Sequence, residues 1–392
     1  MNPDVARRFP LVARPRPACT PLVQRVADLE HRAALAQEHH NVASATAVFN
    51  LAALLASDCG LPDLARTWCH RLAAIALAHS TEPRHVLEPI VNLARLHIRA
   101  GDGPTAWTLL ENLYQAIATR TDTVIDGILI QAANLTEAPS RYANARTWLW
   151  SVLLGTGAHA LAAAGRWDEA SQRLSQHKGV GERMLDGRQV TVIAHTIAGR
   201  HQDAYRLLCT TQPGEAWENA VTASLHLHLP GRDPAEAATT ALAIYNSLGS
   251  DEPTLFRTRL GLTLVDALHT NHQGRDLLIM GLIALAADDG YAARDLLEHH
   301  ECVDVASNQQ RAGLADLMSA CGLGQGALPA TLLAAIEQAL DTAEMIIKES
   351  ATGLVPPTTA ATASSRRRLN RPGSCRDSTE PGAAQNPVFG RR

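Results

Sequence analysis

Aromatic residues are scarce in this chain. Phe, Tyr and Trp make up only 4% of the 392 residues, whereas hydrophobic residues as a whole make up 46%. Sheet proteins draw heavily on β-branched and aromatic side chains, while Ala and Leu are the strongest helix formers. A core built from small and aliphatic side chains therefore predicts an all-α fold, and the length allows one extended helical array.

Targeting and membrane signals are also missing. Residues 1–20 are rich in Arg and Pro and contain no apolar core of the signal-peptide type. The densest apolar run, Leu277–Ala287, is shorter than the ~20 residues that span a bilayer. The formal net charge is −4, which disfavours an ordered part that binds nucleic acid or a membrane. We therefore expect a cytoplasmic protein with neither partner.

Metal-binding motifs are absent at their usual spacings. The seven cysteines are scattered and form no C-x-x-C, which excludes a zinc ribbon or thioredoxin motif and predicts reduced thiols. Histidine is frequent, with 17 residues, but no H-E-x-x-H occurs. In the dense run Glu298–Cys302, adjacent histidines on a helix would point about 100° apart. We therefore expect no metal and no cofactor.

Catalytic motifs are missing as well. The sequence contains neither a P-loop nor a G-x-S-x-G nucleophile elbow. Cys69 and His70 are the residue types of a nucleophile and its base, but as neighbours on a helix they would face apart. We therefore predict no catalytic residue, and an enzyme remains the least favoured of the alternatives.

One short pattern does recur: a Gly followed five residues later by an Ala. The Gly suits the end of one helix, where a positive φ is needed, and the Pro and Asp residues that follow suit the first turn of the next helix. The small Ala lets the two helices cross closely. The last two occurrences are 34 residues apart. The pattern starts at Gly60, Gly101, Gly165 and Gly199.

This pattern resembles the tetratricopeptide repeat over roughly residues 43–211. The consensus aromatic of the first helix is replaced by Ala56, His97, Leu161 or His195. The interval between Gly101 and Gly165 is too long for one regular repeat and predicts a long loop and a helix. The phrases at residues 47–66 and 185–189 also resemble uncharacterised actinobacterial repeat proteins and the repeat regions of bacterial regulators. No function comes with that likeness.

The resemblance implies a right-handed α-solenoid of antiparallel helix pairs, in which neighbouring pairs bury each other's faces. The C-terminal end has a different composition, rich in Pro, Ser, Gly and Arg, which is typical of disorder. Its basic run, Arg366–Arg368, is interpreted as solvated, with contact to nucleic acid or acidic lipid as the alternative. The predicted divisions are a flexible N-terminal arm at 1–20, repeats at 21–213, further helical hairpins at 214–349 and a disordered tail at 350–392.

The resemblance also implies a concave groove, lined by the first helix of each pair, that holds a peptide. Amides and guanidinium groups at such positions can bind a peptide backbone or a carboxylate. The family's carboxylate-clamp set of Lys and Asn is not reproduced. Counting back from each repeat Gly, the predicted groove residues are Asn50, Asp58, Glu88, Arg95, Arg99, His159, Asp186 and Gln189.

Three functions follow as expectations. The first is a non-catalytic scaffold, in one version a regulatory one, that binds a protein or peptide partner in the groove. The second is a sensor of a small molecule or signalling peptide. The third is an enzyme of unknown type.

Overall fold

Helices dominate the structure, as the composition predicts. The computed structural model describes residues 1–230, 234–268 and 274–351, and the all-α prediction is confirmed at this level. The first helices are α1 (Pro3–Ala6), α2 (Leu22–Glu38), α3 (Val42–Asp58), α4 (Pro62–His79), α5 (Pro83–Arg99) and α6 (Gly103–Thr119). None of the described helices combines the length and apolar character needed to cross a bilayer.

The remaining elements follow with short connections. The middle of the chain contains β1 (Thr123–Ile125), β2 (Ile128–Ile130), α7 (Ala132–Leu135), α8 (Pro139–Val152), a π-helical segment (Leu153–Gly157), α9 (Ala158–Ala163), α10 (Trp167–Gln176), α11 (Asp186–Ile197) and α12 (His201–Cys209). The last part contains α13 (Ala216–Leu227), α14 (Pro234–Asn246), α15 (Thr254–Ala267), α16 (Arg275–Leu285), a 3-10 turn (Ala286–Asp288), α17 (Gly290–Leu297), α18 (His300–Val305), α19 (Asn308–Ala320) and α20 (Ala330–Ala351). The predicted disordered tail lies outside the described residues from 352 onward.

The four Gly-to-Ala joints have the predicted geometry. Gly60, Gly101, Gly165 and Gly199 all have positive φ, at 79°, 80°, 72° and 74°. Each lies between two helices that pack on each other. The alanines that follow them are fully buried, as close helix crossing requires: Ala65, Ala106, Ala170 and Ala204.

A β-hairpin occupies part of the long interval after α6, where the sequence predicted a loop and a helix. Thr123 pairs with Ile130, and the turn between the strands is Asp126-Gly127, both with positive φ. Asp-Gly between β-branched residues is the strongest short hairpin signal, and it overrides the helical trend of its surroundings. The helix expected in this interval is present as α8.

Glycine permits close helix packing between α6 and the segment before α9. A Cβ added to Gly157 would lie 2.9 Å from Cε3 of Trp107, and one added to Gly103 would overlap the carbonyl oxygen of Ala160. Neither glycine could carry a side chain without moving these helices apart. The backbone at Gly157 is π-helical rather than α-helical.

The last described helix returns to the first ones. Helix α20 packs against α2, α3 and α4. Arg71 of α4 forms ion pairs with Asp341 at 2.6 Å and Glu344 at 2.7 Å, and Nε1 of Trp68 donates to Glu337 at 2.9 Å. An open array, in which each helix pair contacts only its neighbours, would not bring these helices together.

Residues 1–20, named here the N-terminal segment, differ more than any other described part from the arrangement that the sequence predicted. The sequence predicted a flexible arm, but the apolar side chains of this segment are buried against helices far along the chain. They carry no helical or strand periodicity, so pattern analysis does not detect them. The buried members are Val5, Ala6, Phe9, Leu11 and Cys19.

Candidate functional site

The backbone of the N-terminal segment is held by one buried amide. Gln189 of α11, a predicted groove residue, is fully buried. Its Nε2 donates to the carbonyl oxygen of Leu11 at 2.7 Å, and its Oε1 accepts from the backbone N–H of Leu11 at 2.7 Å. This pair of bonds is the one a neighbouring β-strand would make. Helix α11 therefore binds the backbone of Leu11 through one side chain.

Two arginines of the same segment form ion pairs with helices α11 and α15. Arg14 forms an ion pair with Asp186, the predicted groove residue at the start of α11, and its guanidinium group lies against Gly155. Arg8 forms an ion pair with Asp266 of α15. Charged pairs of this kind give a bound segment its register.

Helix α17 holds the end of the segment. The guanidinium carbon of Arg16 lies 4.1 Å from the ring centroid of Tyr291, a cation–π contact. The carbonyl oxygen of Cys19 accepts from the backbone N–H of Gly290 at 2.8 Å and from Sγ of Cys321 at 3.0 Å. The segment is thus bound to α11, α15 and α17.

Asp58 lies at a buried ionic junction rather than on an open surface. Its side chain is only 4% exposed and forms ion pairs with Arg25 at 2.6 Å and Arg99 at 3.0 Å. The hydroxyl group of Tyr291 donates to the same carboxylate. Burial, and then the charge of Asp58, raise the pKa of Tyr291 to about 12, so this hydroxyl keeps its proton. A carboxylate with three partners is committed to structure.

A cleft opens beside residues 17–20 of the N-terminal segment. Its volume is about 640 Å³, and it is lined by apolar side chains of α3 together with charged side chains of α2 and α5. Two predicted groove residues, Asn50 and Glu88, line it. Nδ2 of Asn92 donates to Oδ1 of Asn50 at 2.8 Å, and Nη1 of Arg95 donates to Oδ1 of Asn92 at 2.6 Å. An amide chain thus links the cleft to Arg95.

The two remaining predicted groove residues, Arg95 and His159, both lie near Arg16 of the N-terminal segment. Arg95 is exposed to solvent on α5, one turn before Arg99. The pKa of His159 is lowered to about 4, first by loss of hydration and then by Arg259, Arg16 and Arg14. His159 is therefore neutral near pH 7 and can act as either a donor or an acceptor.

Apart from Arg95 and His159, the predicted groove residues divide into three groups. Asn50 and Glu88 line the cleft, Asp186 and Gln189 hold the N-terminal segment, and Asp58 pairs with Arg99. The partners on the N-terminal segment were not predicted, because their role depends on contacts far along the chain. The only sequence signal for them is apolar Phe9 and Leu11 within an otherwise Arg- and Pro-rich stretch. Those unpredicted partners are Arg8, Leu11, Arg14, Arg16 and Cys19.

One group of metal-ligand types comes together in the described residues. One ligand atom each from Asp266, His299 and Glu301 lie within 4.8 Å of one another. Each carboxylate is already paired with a guanidinium group, Asp266 with Arg8 and Glu301 with Arg275. His299 does not lie on a helix with His300, as the sequence interpretation assumed, but caps the start of α18. The two arginines would compete with a cation for this group.

Cys69 and His70 do not act on each other. Burial raises the pKa of Cys69 to about 12, so its thiol stays protonated, and Cys69 is buried in the core. Nε2 of His70 lies 2.9 Å from the carboxylate of Asp126 in the hairpin turn. The pair has the geometry of packing and of a surface ion pair, not that of a nucleophile and its base.

Comparison with known proteins adds no relative. No protein-family model matches the chain, and neither a curated protein nor a solved structure does. Its function is therefore argued from the geometry above.

Proposed function

We propose that this chain is a non-catalytic scaffold of tetratricopeptide-like helix pairs, arranged as an α-solenoid, that binds a protein or peptide partner along its inner face. The cytoplasm is its expected compartment. One observation carries the proposal: α11 already binds the peptide backbone of Leu11 through the side-chain amide of Gln189. Asn50 offers a second side-chain amide, at the cleft, for a contact of the same kind with a partner.

The cleft is the place where a partner would bind. It begins where the N-terminal segment ends, because Pro17, Ala18 and Thr20 form one of its walls. Leu51 and Leu55 line it together with charged side chains such as those of Arg32 and Glu88. A pocket that combines apolar surface with polar and charged groups is the usual form of a recognition site. A partner peptide would lie there in line with the N-terminal segment.

The test is a peptide-display selection with the full chain as bait, followed by affinity measurement for the enriched peptides. Ala43 lines the cleft and is exposed on α3, so Ala43→Trp fills the cleft without adding charge. We expect this change to weaken peptide binding about tenfold or more, because the apolar surface that the peptide buries is no longer available.

Ala143→Trp is the matched control. Ala143 is an equally exposed alanine on a helix, α8, and it lies away from the residues that line the cleft. Its variant should bind the selected peptides as the natural chain does. If no peptide is enriched, or if both variants lose binding to the same extent, the proposed partner site is wrong.

A small-molecule sensor is the second candidate. The volume of the cleft, about 640 Å³, falls within the range of small-molecule pockets, roughly 300–1,000 Å³. This function predicts that a metabolite raises the melting temperature of the natural chain but not that of the Ala43→Trp variant. A flat response across a metabolite library would remove this candidate.

A further inference from the structure

Four exposed arginines converge next to the cleft. Arg14 and Arg16 belong to the N-terminal segment, and Arg95 and Arg99 lie one turn apart on α5. Arg16 stacks on Tyr291, whose hydroxyl group donates to Asp58, and Asp58 in turn pairs with Arg99. This chain of contacts brings Arg16 into the neighbourhood of α5.

The electrostatic effects of these groups on one another agree with this chain of contacts. The pKa of Arg95 is lowered, chiefly by loss of hydration; Glu88 opposes this change, and the positive charges of Arg99 and Arg16 add to it. Arg16 also lowers the pKa of His159. Arg16 therefore lies within electrostatic range of both Arg95 and His159, on a surface that solvent reaches.

Most of the nearby carboxylates are already committed to other arginines; Glu88, on the cleft wall, lies 4.0 Å from Nε of Arg84 and is the carboxylate that acts on Arg95. Asp58 is shared by Arg25 and Arg99, and Asp186 is paired with Arg14. Asp295 is shared in the same way by two arginines, Arg259 at 2.7 Å and Arg294 at 3.0 Å.

Two guanidinium groups of this cluster form no ion pair with a described carboxylate. In the described part of the chain, Arg16 has no carboxylate partner and makes its contact with the ring of Tyr291, while Arg95 makes its hydrogen bond to the side-chain oxygen of Asn92. Like charges brought together repel each other, and the repulsion is relieved when an anion binds between them. Guanidinium groups present paired N–H donors that match the oxygens of a phosphate or carboxylate.

Building on the small-molecule function, on which this inference rests, we propose that Arg16 and Arg95, flanked by Arg99 and His159, form an oxyanion site for the phosphate or carboxylate group of a small organic molecule whose apolar body occupies the cleft in place of a partner peptide. Each of the two arginines is connected to a residue that lines the cleft. Pro17, the residue after Arg16, lines the cleft, and Asn92 links Arg95 to Asn50 on the cleft wall. An anionic head and an apolar body can therefore be bound together.

The test is isothermal titration calorimetry of the full chain with matched probes. Inorganic phosphate and acetate supply the anion alone, phenyl phosphate and benzoate add an apolar body, and phenol and benzylamine add the body without the negative charge. We expect an aromatic anion to bind about tenfold or more tightly than the corresponding simple anion, because its ring enters the cleft. The phosphate and carboxylate pairs show which oxyanion the site prefers.

Variants separate the two halves of the site. Arg95→Gln should weaken both the simple and the aromatic anion about tenfold, because a charged pair of donors is lost. Ala43→Trp should weaken the aromatic anion only. Arg206→Gln, at an exposed arginine on α12, is the matched control and should change neither affinity.

Several results would overturn the proposal. Equal binding of phenol or benzylamine would show that negative charge plays no part. An equal loss in the Arg206→Gln variant would show only non-specific attraction to basic surface. Binding of simple anions without any gain from the aromatic body would show an anion site that is separate from the cleft. The melting temperature of each variant, unchanged from that of the natural chain, verifies that Arg95→Gln and Ala43→Trp fold.

Discussion

At Gly199 the chain turns from α11 into α12, and residues close in sequence hold this turn. The backbone N–H of Arg200 donates to the carbonyl oxygen of His195 at 2.8 Å. At Leu11 the chain is extended, and both of its backbone groups bind Gln189, which lies 178 residues further along. The first arrangement depends on a local signal, the Gly with positive φ. The second depends on the finished fold. Local signals are therefore readable from sequence, whereas the place of the N-terminal segment is not.

The largest expected effect comes from breaking helix packing at a joint. Gly103→Val would drive a side chain into the carbonyl group of Ala160, and backbone cannot move aside cheaply. We expect a loss of about 3 kcal/mol or more in the free energy of unfolding, measured by urea titration. Gly313→Val on α19 is the control, because a Cβ there meets open space. Similar losses in both variants would contradict the packing argument.

The N-terminal segment can be released without touching any joint. Gln189→Leu removes both bonds to Leu11 and leaves a buried N–H and a buried carbonyl group unpaired, which costs about 2 kcal/mol. Amide exchange over residues 5–19 should become much faster, while exchange at the Gly199 joint changes less. Gln24→Leu, at an exposed glutamine of α2, should leave exchange unaltered. Uniform acceleration across the chain would show that the segment is not a separate unit.

A single joint can be strained with a smaller effect. Gly199→Ala places a Cβ on a residue with φ of 74°, which costs about 1 kcal/mol. Thermal unfolding should detect this loss, and protection of the N-terminal segment should persist. Gly181→Ala is the comparison, because no positive φ is recorded there and the added Cβ has free space. An unchanged stability of the Gly199→Ala variant would mean that the joint tolerates a left-handed alanine.

Lowering the pH should reduce the stability of the folded chain through His159. Its pKa in the folded chain is about 4, below the value of about 6.5 in an unfolded chain. As the pH falls from about 6.5 to 4, the unfolded chain takes up the proton first, so stability is complete above pH 6.5 and declines below it. His159→Gln should remove about 1 kcal/mol of that acid sensitivity, allowing for partial exposure. His31→Gln, at an exposed site, should leave the pH profile as it is; identical profiles for both variants would exclude His159 as a cause.

The sequence was informative where a pattern repeats within a few residues. The Gly-to-Ala steps predicted the four helix joints, and α2 begins one residue after position 21, the predicted start of the helical region. Asp126-Gly127 lies in the interval for which a loop and a helix were predicted, and its flanking β-branched residues carry a hairpin signal. Among the predicted groove residues, Asn50 and Gln189 do contact a cleft or a peptide backbone, as their amides suggested.

Composition and short-range pattern by themselves determined that this chain folds into helices joined at Gly60, Gly101, Gly165 and Gly199. These properties depend on φ, helix propensity and the size of one side chain, all of which act between neighbours. Only the tertiary structure decided that α20 packs on α2, that the N-terminal segment lies against α11 and that Arg16 and Arg95 contact Tyr291 and Asn92 rather than a carboxylate of the described residues. Those features depend on contacts between residues that are distant in sequence, and no local pattern encodes the energies of such contacts.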